Sequence, residues 1–139
     1  GSYWFLLALV VVWSSDTGAY FGGKRFGNKP LYKSVSPNKS IEGSISGLIG
    51  SIAGAVGCNY AFAAFGPEWS IVSMTNLLLL VVPANILAQL GDLSESLIKR
   101  SQGVKDSGTI IYGHGGLLDR IDGLIMAAPW FYVFYNYIL

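Results

Sequence analysis

Long apolar segments alternate with short charged connections along this chain. Residues 43–67 and residues 69–91 contain no charged side chain. Because about 20 apolar residues suffice for a helix to cross a bilayer, both windows predict a membrane-spanning helix. Residues 123–139 are slightly shorter and are predicted to span together with the preceding turn, and residues 3–13 resemble the end of a further span whose start is missing. The pattern predicts an all-α integral membrane protein with about four transmembrane helices.

Composition argues against the alternative of a soluble protein with buried helices. Hydrophobic residues make up 52% of the chain and charged residues only 12%, about half the charged share of a usual soluble domain. So many apolar windows in 139 residues leave too little polar surface to cover them. The length corresponds to one domain, so residues 1–139 are expected to form a single membrane domain. Gly1 and Ser2 resemble a cloning remnant, and we interpret the chain as a fragment of a longer protein.

The basic residues lie in two of the three connections between the apolar segments. The first connection contains Lys24, Arg25, Lys29, Lys33 and Lys39, and the third contains Lys99, Arg100, Lys105 and Arg120. The connection around residues 66–70 contains only Glu68 as a charged residue. By the positive-inside rule, both basic loops face the cytoplasm, and the two spans between them are consistent with that orientation.

The first basic loop, residues 15–43, is rich in Gly, Ser, Asn and Pro. This composition predicts turns and short pieces of structure. Near its end, Ser40 is predicted to cap the helix of the second span, with Glu42 following in the first turn.

Small residues form a stripe on the second predicted span. The stripe comprises Gly43, Gly47, Gly50, Gly54 and Gly57. Spacings of four and three residues put these positions on one face of a helix, where small residues let another helix approach closely in lipid. We interpret the stripe as a packing surface.

The third span carries a polar stripe with the same spacing. It comprises Asn85, Gln89, Asp92, Ser96 and Lys99. Because polar groups within a span usually face the bundle interior or a watery cavity, the stripe indicates either a cavity wall or a seam of hydrogen bonds between helices. The sequence leaves both interpretations open.

Acidic residues gather on the predicted cytoplasmic side, where seven of the eight lie: Asp16, Glu42, Asp92, Glu95, Asp106, Asp119 and Asp122. A carboxylate at membrane depth costs about 2.5–3.5 kcal/mol, and clustering raises this cost unless a cation lies among the charges. Carboxylates beside Lys and Arg suit a polyphosphate with bound Mg²⁺, because Mg²⁺ combines a few carboxylates with substrate phosphates. The alternative is a structural salt network in which Asp119 and Asp122 pair with Arg120 and Lys105.

Other kinds of site find little support in the sequence. A zinc site needs several Cys or His ligands, whereas the chain has one cysteine, Cys58, and one histidine, His114. The P-loop pattern is absent. His114 lies among glycines, and a hydrogen bond within its loop explains it as well as a catalytic role does.

Residues 96–122, "SLIKRSQGVKDSGTIIYGHGGLLDRID", resemble the signature of phosphatidate cytidylyltransferases, also called CDP-diacylglycerol synthases. Residues 15–27, "SDTGAYFGGKRFG", and residues 36–43, "SPNKSIEG", resemble two further cytoplasmic motifs of that family, and residues 88–100 resemble the lead-in to the signature. The resemblance covers nearly the whole chain, which looks like the C-terminal, catalytic half of a family member.

Three positions depart from the family pattern. Tyr112 stands where the family usually has Pro, which affects the conformation of the loop before His114. Asn38 and Ser40 stand where Lys and Thr are frequent, which weakens the expected phosphate contacts slightly.

The resemblance implies an enzyme of phospholipid biosynthesis. The implied nucleotidyl transfer converts CTP and phosphatidate into CDP-diacylglycerol and pyrophosphate, with Mg²⁺ as cofactor. The implied partners are these two substrates and membrane lipid, without nucleic acid, and a homodimer stays open. The implied location is the bacterial inner membrane, with the active site facing the cytoplasm.

The resemblance also implies roles for individual residues. Asp92, Asp119 and Asp122 are the predicted metal ligands, and together with Lys105 they form the predicted catalytic set. The predicted substrate-binding residues are Asp16, Ser36, Lys39, Glu42, Arg100, Asp106, His114 and Arg120. Among them, Lys39 and Arg120 would join Lys105 in holding phosphates, and Glu42 would orient Lys39.

Three other functions compete with this one. A CTP-dependent polyprenol or lipid kinase would share the membrane, the metal and the nucleotide. An ion-coupled transporter would use the carboxylates along a pathway, with Pro83 and Pro129 marking broken helices. The chain could also be an inert structural half of a longer protein.

Overall fold

The described part of the chain contains four helices and one short hairpin. The computed structural model describes residues 2–65, 72–103 and 118–138, and of residues 118–120 it describes the backbone only. In chain order the elements are α1 (Ser2–Phe26), β1 (Pro30–Tyr32), β2 (Ser36–Ser40), α2 (Ile41–Ala63), α3 (Met74–Ser101) and α4 (Leu118–Tyr137). The two strands pair antiparallel. The predicted all-α class is confirmed.

Helices α1 and α2 pack against each other through small residues. A Cβ atom placed on Gly18 would lie 2.6 Å from the carbonyl oxygen of Ser46, and one on Gly50 would lie 2.6 Å from that of Ser14. Such distances leave no room for a side chain, so the two backbones are in direct contact. The predicted glycine packing surface is confirmed over Gly43, Gly47, Gly50 and Gly54, whereas a Cβ atom on Gly57 would meet no atom within 4 Å.

The apolar core lies toward the end of the bundle opposite the basic residues. Leu7 and Val11 of α1 meet Leu77 and Leu80 of α3 and Phe134 of α4 there, all with exposed fractions of 1% or less. In α4, the indole Nε1 of Trp130 donates a hydrogen bond to the carbonyl oxygen of Leu80 at 3.0 Å. This core joins the α1–α2 pair to the α3–α4 pair.

The outer faces of the helices expose large apolar side chains, as a lipid-facing surface requires. Examples are Phe5 at 62%, Ile49 at 63% and Leu79 at 52% exposure. Helices α1, α2 and α3 are long and apolar enough to cross a membrane. Helix α4 does not belong to that group, so its crossing stays a prediction.

The predicted cap at Ser40 is confirmed. Its hydroxyl accepts a hydrogen bond from the backbone N–H of Gly43 at 3.0 Å, which satisfies one of the free donors at a helix start. In the first turn of α2, the carboxylate of Glu42 accepts hydrogen bonds from the backbone N–H groups of Asn28 and Lys29 at 3.2 and 3.3 Å. Helix α2 therefore begins beside the hairpin and fixes its position.

The structure corrects the predicted first loop. Helix α1 continues beyond the apolar run 3–13 to Phe26, so the first half of the predicted loop 15–43 is helical. The glycines that suggested turns lie against the small residues of α2, and this contact stabilises a helix despite their low helix propensity. With these additional residues, α1 is long enough to cross a membrane.

We predict that Gly50→Val destabilises the protein by about 1–3 kcal/mol, because its side chain would collide with the α1 backbone. Gly57→Val, on the same helix but in open space, is the matched control. Thermal unfolding in detergent measures the difference. A Gly50→Val variant as stable as Gly57→Val would contradict the close α1–α2 contact.

Candidate active site

An open pocket of about 360 Å³ lies at the end of the bundle that carries the basic residues. Its walls come from α1, the hairpin, the first turn of α2, the second half of α3 and the start of α4. The charged residues in its lining are Asp16 from α1, Lys39 from β2, Asp92 from α3 and Asp122 from α4. Since each belongs to a different element, the pocket depends on the packing of all of them.

Three carboxylates converge at the α3–α4 side of the pocket and form what we call the acidic cluster: Asp92, Glu95 and Asp122. One carboxylate oxygen of each lies within 4.8 Å of one from each of the others. Glu95 is only 7% exposed, and Asp92 and Asp122 are half-buried. Charges this close repel by roughly 3 kcal/mol per pair at an effective dielectric constant of about 20, so the cluster requires positive charge nearby.

Two lysines face these carboxylates within the described part of the chain. Nζ of Lys39 forms an ion pair with Oδ2 of Asp92, and Nζ of Lys99 lies 3.6 Å from Oε1 of Glu95. Asp16 adds a fourth carboxylate, which interacts electrostatically with Asp92 and Lys39. Negative charge therefore exceeds positive charge among the described side chains of this region.

Hydrogen bonds between three helices form one wall of the pocket. The Gln89 amide donates to Oδ1 of Asn85 at 2.6 Å and to the carbonyl oxygen of Ser44 at 3.2 Å, and it also accepts from the Ser44 hydroxyl. Asn85, only 1% exposed, donates to Oγ of Ser15 at 2.7 Å. Both interpretations of the polar stripe thus hold: Asn85 and Gln89 form hydrogen bonds between helices, and Gln89 and Asp92 line the pocket.

Several predicted site residues lie elsewhere in the described structure. Ser36 pairs with Tyr32 in the hairpin, and Arg100 is exposed near the end of α3. Glu42 accepts hydrogen bonds from the backbone next to the hairpin, and Lys39 is not among the hydrogen-bond partners of its carboxylate in the described structure. None of the three lines the pocket as far as the described residues define it, so their substrate-binding roles stay predictions.

Other predicted site residues fall outside the description. Lys105, Asp106 and His114 lie within residues 104–117, and the side chains of Asp119 and Arg120 are likewise outside the described part. Helix α4 begins at Leu118, so the first turn of its backbone carries both of the latter residues. Their catalytic, metal-binding and substrate-binding roles stay predictions.

The structure adds residues that the sequence did not assign to the site. Glu95 belongs to the acidic cluster, and its spacing of three residues from Asp92 could have indicated a shared helix face. Gln89 was visible as part of the polar stripe. Ser44 and Ser15 had no such signal, because their roles arise only when α1 and α2 meet α3.

The arrangement suits a hard cation and a phosphorylated ligand. Carboxylate oxygens from α3 and α4 are donors that Mg²⁺ prefers, and the Lys39 ammonium lies in the same pocket. A lysine is a common partner of phosphate oxygens. Among the described residues the pocket is open, and Asp92 and Asp122 of the acidic cluster line it.

Comparisons with known proteins agree with this chemistry. The sequence profile of the Cytidylyltransferase family matches residues 1–138. A phosphatidate cytidylyltransferase of Haemophilus influenzae is 43% identical over 141 residues, which cover 100% of this chain and 48% of that protein. A phosphatidate cytidylyltransferase of Bacillus subtilis is 41% identical over 132 residues, covering 95% and 47%. One from Brucella suis is 44% identical over 130 residues, covering 94% and 45%. The chain thus spans about half the length of these relatives.

We predict that Asp92→Asn and Asp122→Asn each weaken Mn²⁺ binding to the full-length protein by about tenfold or more, because each removes a charged oxygen donor from the acidic cluster. Electron paramagnetic resonance of free Mn²⁺ measures the affinity without nucleotide. Glu42→Gln is the control: it lies outside the cluster and keeps an oxygen acceptor for the hairpin backbone. Equal affinity in all three variants and the wild type would contradict a metal site in the cluster.

Proposed function

The chain belongs to the cytidylyltransferase family, and from this premise we propose that the full protein transfers CMP from CTP to phosphatidate. The products are CDP-diacylglycerol and pyrophosphate, and the reaction serves phospholipid biosynthesis. The observation that carries this proposal is the acidic cluster beside Lys39 in an open pocket. Relatives named phosphatidate cytidylyltransferase support the choice of substrates.

The proposed reaction is an in-line displacement at phosphorus. A phosphate oxygen of phosphatidate attacks the α-phosphorus of CTP. The bond from that phosphorus to the oxygen bridging to the β-phosphate breaks, and pyrophosphate leaves with the bonding electrons. Both reactants are anions, so the protein must bring them together and compensate their charge. No covalent intermediate with the protein is required.

The donor set of the acidic cluster fits Mg²⁺. The cation binds in proteins through one or two carboxylates, waters and substrate phosphates, and half-exposed Asp92 and Asp122 leave space for such ligands. We propose that these two residues hold Mg²⁺, together with Asp119 and with Glu95 supporting from α3. When bound, Mg²⁺ neutralises charge on the triphosphate and on the departing pyrophosphate.

Lys39 has a second role in this proposal. Its ammonium pairs with Asp92, and it would instead contact a phosphate oxygen of CTP or phosphatidate if Asp92 holds the cation. Asp16, on the opposite wall, would help to position Lys39. Lys105 and Arg120 are proposed as further phosphate partners, with Ser36, Glu42, Arg100, Asp106 and His114 completing substrate binding.

The pocket lies at the end of the bundle that the positive-inside rule assigns to the cytoplasm. CTP would therefore reach it from the cytoplasm, and the phosphate of the lipid would lie level with the helix ends. We propose that the chain is the C-terminal catalytic part of a longer bacterial inner-membrane protein. A homodimer stays a prediction.

Labelled CTP tests the reaction directly. The full-length protein is incubated with phosphatidate, Mg²⁺ and CTP labelled at either the α- or the γ-phosphate. Cytidylyl transfer leaves the α-label in the lipid extract and the γ-label in pyrophosphate. A γ-label in the lipid would identify a lipid kinase, and no label in the lipid with either CTP would contradict nucleotidyl transfer.

We predict that Lys39→Gln lowers kcat/KM for CTP by about 10- to 100-fold, the effect of losing one hydrogen bond to a charged group. Lys33→Gln is the matched control, since Lys33 lies in the same hairpin segment, is exposed and does not line the pocket. Steady-state kinetics of pyrophosphate release measure both. Similar kcat/KM values for the two variants would remove Lys39 from the phosphate site.

A further inference from the structure

A second cavity, of about 430 Å³, lies between α2 and α3 next to the hairpin. Its lining is almost entirely apolar, and its apolar members are Leu31, Ile45, Leu48, Ile86, Leu90 and Leu93, together with the ring of Tyr32. We call this cavity the α2–α3 groove. The reaction proposed above assigns no role to it.

The groove is continuous with the polar pocket. Ser44 and Gln89 line both cavities, as do Leu31 and Leu93. The hydroxyl of Ser44 and the amide of Gln89 bond to each other and mark the boundary. On one side of this boundary lie Asp92 and Lys39, and on the other side lie only Asn85 and apolar or aromatic side chains.

A ligand that fills both cavities must be charged at one end and apolar along the rest. From Leu93 to Ile86 the α3 helix advances about 10 Å at 1.5 Å per residue, so the groove extends well below the level of the acidic cluster. Ile45, Ile86 and Leu90 are 55%, 51% and 52% exposed. These three residues line the groove and are about half exposed, so the groove is open along its side among the described residues.

We propose that the α2–α3 groove binds one acyl chain of the lipid substrate while its phosphate lies at the acidic cluster. This inference rests on the proposed function and adds to it the position of one acyl chain of the lipid substrate. The shared boundary at Ser44 and Gln89 sets the distance between the phosphate and the start of the bound chain. Selectivity for acyl-chain length therefore depends on the side chains of the groove.

Substrate selectivity in the full-length protein tests the groove. Ile86→Trp and Leu90→Trp fill it from exposed positions, so they disturb the core little. Ile125→Trp is the matched control, because Ile125 is also 51% exposed and lies on α4, outside the groove. The measured quantity is the ratio of kcat/KM for dipalmitoyl phosphatidate to that for dibutyryl phosphatidate, in the same detergent micelles.

We expect the ratio to fall about tenfold in Ile86→Trp and Leu90→Trp, because several methylene groups lose their apolar contacts, and to stay unchanged in Ile125→Trp. If the wild type is active and all variants show the wild-type ratio, the groove does not bind the acyl chain, and the proposed reaction is unaffected. A wild type that forms no CDP-lipid from either substrate would instead overturn the reaction.

Photolabelling of the wild type provides a test that needs no variant. The probe is phosphatidate with a diazirine in the middle of one acyl chain, and the adducts are located by mass spectrometry. We expect adducts on α2 and α3 at groove residues, reduced by excess unlabelled phosphatidate. Adducts confined to other segments would mean that a protein segment covers the groove, and would overturn the proposal.

Discussion

Repulsion between clustered carboxylates is the constraint on which this site depends. Asp92 and Glu95, in the second half of α3, and Asp122, near the start of α4, bring oxygens within 4.8 Å of one another. Solvent screens this repulsion only in part, because Glu95 is buried and Asp92 and Asp122 are half-buried. Lysines relieve part of it, through Lys39 at Asp92 and Lys99 at Glu95. A divalent cation among the carboxylates would relieve the rest and would bind a triphosphate at the same time.

The packing of the helices enforces this arrangement. The backbones of α1 and α2 meet at Gly18 and Gly50, and Asp16 lines the same pocket as Ser44 from the first turn of α2. The start of α2 is capped by Ser40, the residue after Lys39, so the cap also fixes the lysine. Residues 39–40 therefore serve both features: Ser40 caps α2, and Lys39 brings positive charge into the pocket.

The sequence predicted the parts of the structure that follow from local pattern. The apolar helices α2 and α3, the Ser40 cap and the glycine surface from Gly43 to Gly54 follow from apolar windows, capping chemistry and helical spacing, and the structure confirms them. The second half of α1 was missed, because glycines favour turns locally and are held in a helix here by contact with α2. Asp16, Lys39, Asp92 and Asp122 were named from family resemblance, and the structure brings them to one pocket. The role of Ser44 and the α2–α3 groove could not be predicted, since both arise from residues far apart in the chain.

A charged pocket joined to an apolar groove matches the two ends of a phospholipid, and in the proposed function a cation held by Asp92 and Asp122 would compensate the charge of the bound phosphates. The most direct measurement is an anomalous-scattering map of the full-length protein crystallised with Mn²⁺ and a non-reactive CTP analogue. The account predicts a peak bonded to carboxylate oxygens of Asp92 and Asp122 and to a phosphate oxygen. A map in which Lys39 still pairs with Asp92 and the ion lies on other residues would contradict it.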